Sequence, residues 1–140
     1  MTSATDPRSL AAFTEQSTVN GNTATMTYTR STATTQTTSA ANRSASMVHD
    51  ALGKPVTLQA PGMQAVTIEY YPSGAAQGLT KAVHQAARTT SYTYDSAGNV
   101  QTVTDPIGRV TTLGYDAVGR PLWQNLVPVR RLAFPVPTAA

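Results

Sequence analysis

Between Arg88 and Leu122 an aspartate is followed by a glycine three residues later three times, at 95/98, 105/108 and 116/119. A carboxylate at such a position accepts hydrogen bonds from main-chain amides just downstream, and glycine takes the positive φ that closes a short hairpin loop. Each Asp-x-x-Gly is therefore a turn. The six or seven residues between turns are rich in Thr, Val and Tyr, which suit a pleated, half-buried surface. Ten or eleven residues make one strand and one turn, and Tyr94-Asp95 returns as Tyr115-Asp116 after 21 residues, a full down-and-up pair. The predicted fold class is all-β, an array of antiparallel β-hairpins of about 21 residues each, laid out as an open twisted sheet.

Fainter copies precede this stretch. His49-Asp50-Ala51-Leu52-Gly53-Lys54 occupies the same slot as Tyr115 to Arg120, and Tyr28, His49 and Tyr70 are spaced by 21. Val56 and Leu58 alternate with polar neighbours, as do Val66, Ile68 and Tyr70, the period of a strand with one wet face. Pro61-Gly62 supplies the turn between them. The step from Tyr70 to Tyr94 is 24, which places an insertion in Ala75 to Gly78. His84 to Arg88 lies 21 before Asp105 to Arg109 and reads as a worn corner, with His84 in the aspartate slot and Ala87 in the glycine slot. Lys81 to Arg88 also reads as a helical turn, but the strand-like Thr89 to Tyr94 favours the repeat.

Four segments follow. Residues 1–16 form a leader, a short helix started by Asp6 and Pro7 or a disordered arm. Residues 17–47 are Thr- and Ser-rich, a set of weak strands or a linker, with an Asn20-Gly21 hairpin signal. Residues 48–127 are the array, closing with a strand from Leu122 to Val127. Residues 128–140 are a proline-rich tail, and Pro128, Pro135 and Pro137 each remove an amide donor, so the ladder is expected to stop there.

The pattern Tyr-Asp-x-x-Gly-Arg, strand, Asp-x-x-Gly, strand resembles the YD repeats of Rhs proteins and related toxin-shell proteins. The residues that carry the resemblance are Tyr94, Asp95, Gly98, Asp105, Gly108, Arg109, Tyr115, Asp116, Gly119 and Arg120. The resemblance implies a non-catalytic structural segment of a larger shell, bacterial and exported or cell-surface, packed against neighbouring YD repeats and enclosing a toxin cargo. It also implies an autoproteolytic Asp-Pro-x-Gly-Leu motif at the end of such a shell. Here Asp105-Pro106-Ile107-Gly108 is followed by Arg109 and the repeat continues, so Asp105 is read as a repeat turn. Alternative readings are a cell-surface carbohydrate-binding module, with Tyr92 and Trp123 stacking on sugars, and an orphan truncated remnant without independent function.

Composition limits the alternatives. Of 140 residues 40% are apolar, but much of that is alanine, and large side chains supply most of the burial that stabilises a fold. A thin core is expected, completed by neighbouring repeats. The net charge is +3 with only 12% charged residues, and the basic ones are scattered, Arg130-Arg131 being the one adjacent pair. Phosphate backbones are gripped by clustered Lys and Arg, so nucleic acid is not an expected partner. There is no cysteine, and neither a signal-peptide pattern nor an apolar run of membrane-spanning length is read.

No catalytic, cofactor or metal site is expected. Asp50, Asp95, Asp105 and Asp116 are turn formers, leaving Asp6, Glu15 and Glu69, the last facing water. His49 and His84 read as turn decoration, too few for a zinc site, and one carboxylate per turn is too few for calcium. Asn42-Arg43-Ser44 fits the glycosylation triplet, a pattern common by chance.

Overall fold

A computed structural model describes residues 10–126 and the backbone of 130–133. Twelve strands occur among them: β1 Ala12–Val19, β2 Asn22–Thr29, β3 Thr34–Thr38, β4 Ser44–His49, β5 Pro55–Gln59, β6 Val66–Tyr70, β7 Thr80–Gln85, β8 Arg88–Tyr94, β9 Val100–Thr104, β10 Val110–Tyr115, β11 Pro121–Leu126 and β12 Arg130–Ala133. Strand order in space is sequence order, so among the described residues the connections are hairpin corners and loops. One 3-10 turn, Arg30–Thr32, links β2 to β3. The chain divides into two units, residues 1–67 and 68–140, the division falling inside β6.

In the first unit, period-two alternation sorts side chains cleanly. Phe13, Tyr28, Thr35, Met47, Leu58 and Val66 face one another in turn across β1 to β6 and make a mainly apolar row. One residue along each strand, Thr14, Thr27, Gln36, Ser46 and Gln59 make a polar row on the other face. Its hydroxyls pair across strands, with Thr14 and Thr27 at 3.0 Å. Threonine supports both rows because its branched Cβ suits the pleat while its hydroxyl finds a cross-strand partner.

The second unit repeats the scheme. Tyr92, Val103, Thr111 and Leu126 align across β8 to β11, and Thr93, Thr102, Thr112 and Asn125 form the polar counterpart. The Thr93 and Thr102 hydroxyls lie 2.6 Å apart. Among the described residues only Ala82 is a buried hydrophobic. Both apolar rows stay partly exposed, Phe13 at 42% and Leu126 at 40%.

Several expectations need correction. The leader assigned to residues 1–16 gives way from Ala12 onward to β1, an eight-residue strand in unbroken register with β2. Cross-strand hydrogen bonds overrule the weak local signal. Asp6 and Pro7 lie outside the described residues. The 17–47 segment takes the strand alternative, as the end of β1, then β2, β3 and the start of β4. The ladder does not stop at residue 128, because β12 pairs with β11 through Leu126↔Arg130 to Trp123↔Ala133. Arg130 to Ala133 contains no proline, so its amides are available to the ladder.

Lys81 to Arg88 is strand and corner, as the repeat reading requires, but the corner differs from its expected form. Gln85 pairs with Arg88, so the loop is just Ala86-Ala87, with Ala86 at φ 52°. His84 is consequently a strand residue opposite Thr89, not a turn residue. The insertion falls where the spacing put it, in the irregular segment between Tyr70 and Thr80.

Candidate functional site

The four Asp-x-x-Gly corners share one hydrogen-bond pattern. The aspartate amide donates to the carbonyl four residues on: Asp50 to Lys54, Asp95 to Asn99, Asp105 to Arg109 and Asp116 to Arg120, at 2.8 to 3.0 Å. The glycine amide donates back to the aspartate carbonyl at 3.0 to 3.1 Å. Oδ1 of each aspartate accepts from the amides of the second and fourth residues beyond it, for example Val118 and Arg120 at Asp116. The glycine must sit at positive φ, 79° to 85°, to turn its amide inward.

The residue after the glycine closes the corner from outside. Arg109 Nε donates to Asp105 Oδ2 at 2.6 Å and Arg120 Nε to Asp116 Oδ2 at 2.7 Å. At Asp95 the Asn99 amide does the same at 3.0 Å. These contacts hold the carboxyls below the usual carboxylate range. At Asp95 the main cause is the Asn99 side chain. At Asp116 it is the Arg120 amide. At Asp105 partial desolvation works the other way, and the Arg109 hydrogen bonds outweigh it together with the Ile107 amide. With both oxygens engaged, each carboxylate serves as the fixed centre of a loop.

Two kinds of corner alternate. Register shifts occur at Val48/His49, Thr93/Tyr94 and Gly114/Tyr115, each just before an aspartate. At Asp105 the flanking pair Thr104↔Val110 continues into the ladder without a shift. The residue in the tyrosine slot therefore marks a bulge, and a bulge at every second corner adds local twist. The 21-residue period is the distance between two bulged corners, Tyr94 and Tyr115.

This alternation of Tyr-Asp and Asp-Pro corners with closing arginines coincides with a family match. Residues 76–106 and 94–122 each match the model described as RHS Repeat. Residues 76–122 are RHS repeats. No curated protein matches the chain. The first unit lies outside the matched span, yet its Asp50 corner has the RHS-repeat geometry down to the paired Oδ1 contacts.

Two tyrosine hydroxyls act as struts to strand carbonyls. Tyr94 OH donates to the Thr80 carbonyl and Tyr71 OH to the Tyr92 carbonyl, both at 2.8 Å. The Tyr71 and Tyr94 rings meet edge-on at 6.1 Å. Burial raises the Tyr94 phenol, with Tyr92 and Tyr71 adding to it. Tyr71, not the spacing-marked Tyr70, is thus the partner of Tyr94, a role no local motif advertises. Tyr28 and His49, 21 residues apart, meet edge-on at 6.4 Å, and the His49 ring nitrogen Nδ1 lies 3.0 Å from the Ala33 carbonyl.

Tyr92 and Trp123 do not form one platform. Tyr92 shares a face with Val103, Thr111 and Leu126, whereas Trp123, three residues before Leu126 on β11, points to the opposite face. Trp123 lies directly over Gly114 on β10.

Glu69, expected to face water, is exposed but paired. Lys81 Nζ lies 3.3 Å from Oε2, and His84 Nε2 lies 3.2 Å from Oε1 without hydrogen-bond alignment. Lys81 is the main reason the Glu69 carboxyl is lowered. His84 Nδ1 meets the Thr89 hydroxyl at 3.0 Å. Among the described residues no group of three or more His, Cys, Asp or Glu is arranged to hold a metal ion. Among the described residues no helix is long and apolar enough to cross a membrane.

Proposed function

We propose that the chain is a non-catalytic wall segment of a larger RHS-repeat shell, one that encloses a toxin cargo and helps deliver it from the producing cell. The observation that carries this reading is the partly exposed apolar row in each unit beside, among the described residues, a single buried hydrophobic, Ala82. A sheet with one apolar face is stable only when that face is covered. Further repeats and an enclosed polypeptide would cover it. The regular corners suit the task, because each fixes its hairpin from within five residues and leaves the strands free to extend the ladder.

Carbohydrate binding is the competing reading, and the opposite facing of Tyr92 and Trp123 weighs against it. The test is native isolation of the chain from its producing cell, followed by limited proteolysis. A wall segment elutes within a large particle, and a co-isolated polypeptide resists protease until denaturant opens the particle. A free monomer cut at once at its corners would end the reading. Glycan binding lost on Tyr92→Ala or Trp123→Ala with the fold kept would replace it.

A further inference from the structure

The loop between β1 and β2 consists of Asn20 and Gly21, at φ 50° and 76°. Val19↔Asn22 is the last pair of the ladder, so neither loop residue belongs to it. Among the described residues the Asn20 carboxamide makes no hydrogen bond, and open space surrounds the position a Cβ on Gly21 would take. Both residues are exposed, as is every residue of β1.

We propose that Asn20 is a site of spontaneous deamidation, a covalent modification that remodels the β1–β2 hairpin. The deprotonated Gly21 amide nitrogen attacks Cγ of Asn20. The new N–Cγ bond forms as the Cγ–Nδ2 bond breaks, and ammonia leaves with the proton it needs from water. The product is a five-membered succinimide. Water then adds to one of its two carbonyls, giving aspartate, or isoaspartate when the main chain is left running through Cγ. No electrons are transferred, and water is the only co-reactant.

Asn20 is singled out by its neighbour. The other described asparagines, Asn22, Asn42, Asn99 and Asn125, precede Thr23, Arg43, Val100 and Leu126, whose Cβ atoms hinder approach of the amide nitrogen; glycine has none. Asn99 is further restrained by donating to Asp95 Oδ2. The positive-φ turn slows ring closure, because Asn20 must leave that conformation to react. An exposed hairpin at the edge of its unit opens locally at low cost. Isoaspartate then inserts an extra backbone carbon and a carboxylate into a loop whose register depends on having two residues.

The test incubates the full chain at mildly alkaline pH, maps its peptides by mass and detects isoaspartate by enzymatic methyl transfer. Asn20 is expected to lose its amide before any other described asparagine, with isoaspartate in the peptide that spans it. Asn20→Gly keeps a loop that Gly-Gly fits well and should abolish the label while amide exchange reports an intact hairpin. Conversion of Asn42 or Asn99 ahead of Asn20, or a label that survives Asn20→Gly, would overturn the proposal.

Discussion

The Trp123 indole rests on the backbone of Gly114, its cross-strand partner, in the space where a side chain at Gly114 would begin. Glycine weakens a strand interior unless something fills the gap, and here an aromatic ring fills it. Gly114→Ala forces a methyl into the indole. A destabilisation of about 1–3 kcal/mol is expected, the usual cost of overpacking. Trp123 is the chain's single tryptophan, so its fluorescence reports both the displacement of the ring and the lowered melting midpoint.

Gly119 tests the corner itself. Its φ is 80°, and a Cβ there would approach only the Asn99 side-chain oxygen, at 3.4 Å. The penalty for Gly119→Ala is therefore mainly conformational, about 1–2 kcal/mol for an L-residue held in the left-handed region. Denaturant unfolding should show this loss with the slope unchanged. Gly119→Asn should recover part of it, because asparagine tolerates that region better.

Acid should loosen the corners. The Asp95, Asp105 and Asp116 carboxyls are lowered in the folded chain, so folding favours their ionised form. That contribution is complete above the ordinary aspartate range and is lost as pH falls through the depressed folded values. The melting temperature should therefore hold steady from neutral pH down to that range and fall below it. Asp116→Asn keeps an oxygen for the Val118 and Arg120 amides but removes the titration, so its acid limb should be shallower.

The corners were legible because their chemistry is local. Asp116, Gly119 and Arg120 find every partner within the same five residues, and the spacing announces the loop before any tertiary contact is known. Strand order followed, since loops this short connect only neighbours. What the sequence hid depends on register. β1 contains little beyond Phe13 and Val19 to mark it, and β2 makes it a strand. Gln59 stands in at a corner without aspartate, its amide donating to the Ala60 and Met63 carbonyls, yet glutamine before Ala60-Pro61-Gly62 is no familiar turn signature.

The facing of the candidate binding residues was hidden for a related reason. Tyr92 and Trp123 look equivalent in a list of aromatics, but a count of residues across three ladders separates their faces. His84 looked like a worn aspartate because it lies 21 residues before Asp105. The corner there is shorter by three loop residues, which moves His84 into β7 beside Glu69. A repeat can keep its spacing while one copy changes its loop.

The tyrosine struts give a last prediction. Tyr71→Phe and Tyr94→Phe each remove a hydroxyl that donates to a strand carbonyl at 2.8 Å and keep the ring in place. Each should cost about 0.5–1.5 kcal/mol, the net value of one hydrogen bond. The accepting carbonyls, of Tyr92 and Thr80, belong to different strands and the ring contact survives both substitutions, so the two losses should come close to adding. Tyr71→Leu and Tyr94→Leu should behave otherwise, because the edge-on ring contact is lost with the first substitution and cannot be lost again with the second. A double-mutant cycle by urea unfolding should then give a coupling of about 0.5–1.5 kcal/mol, the usual worth of an aromatic pair. Additive leucine substitutions would mean that the rings touch without stabilising one another, and that the hydroxyls alone tie Tyr71 and Tyr94 to their neighbours.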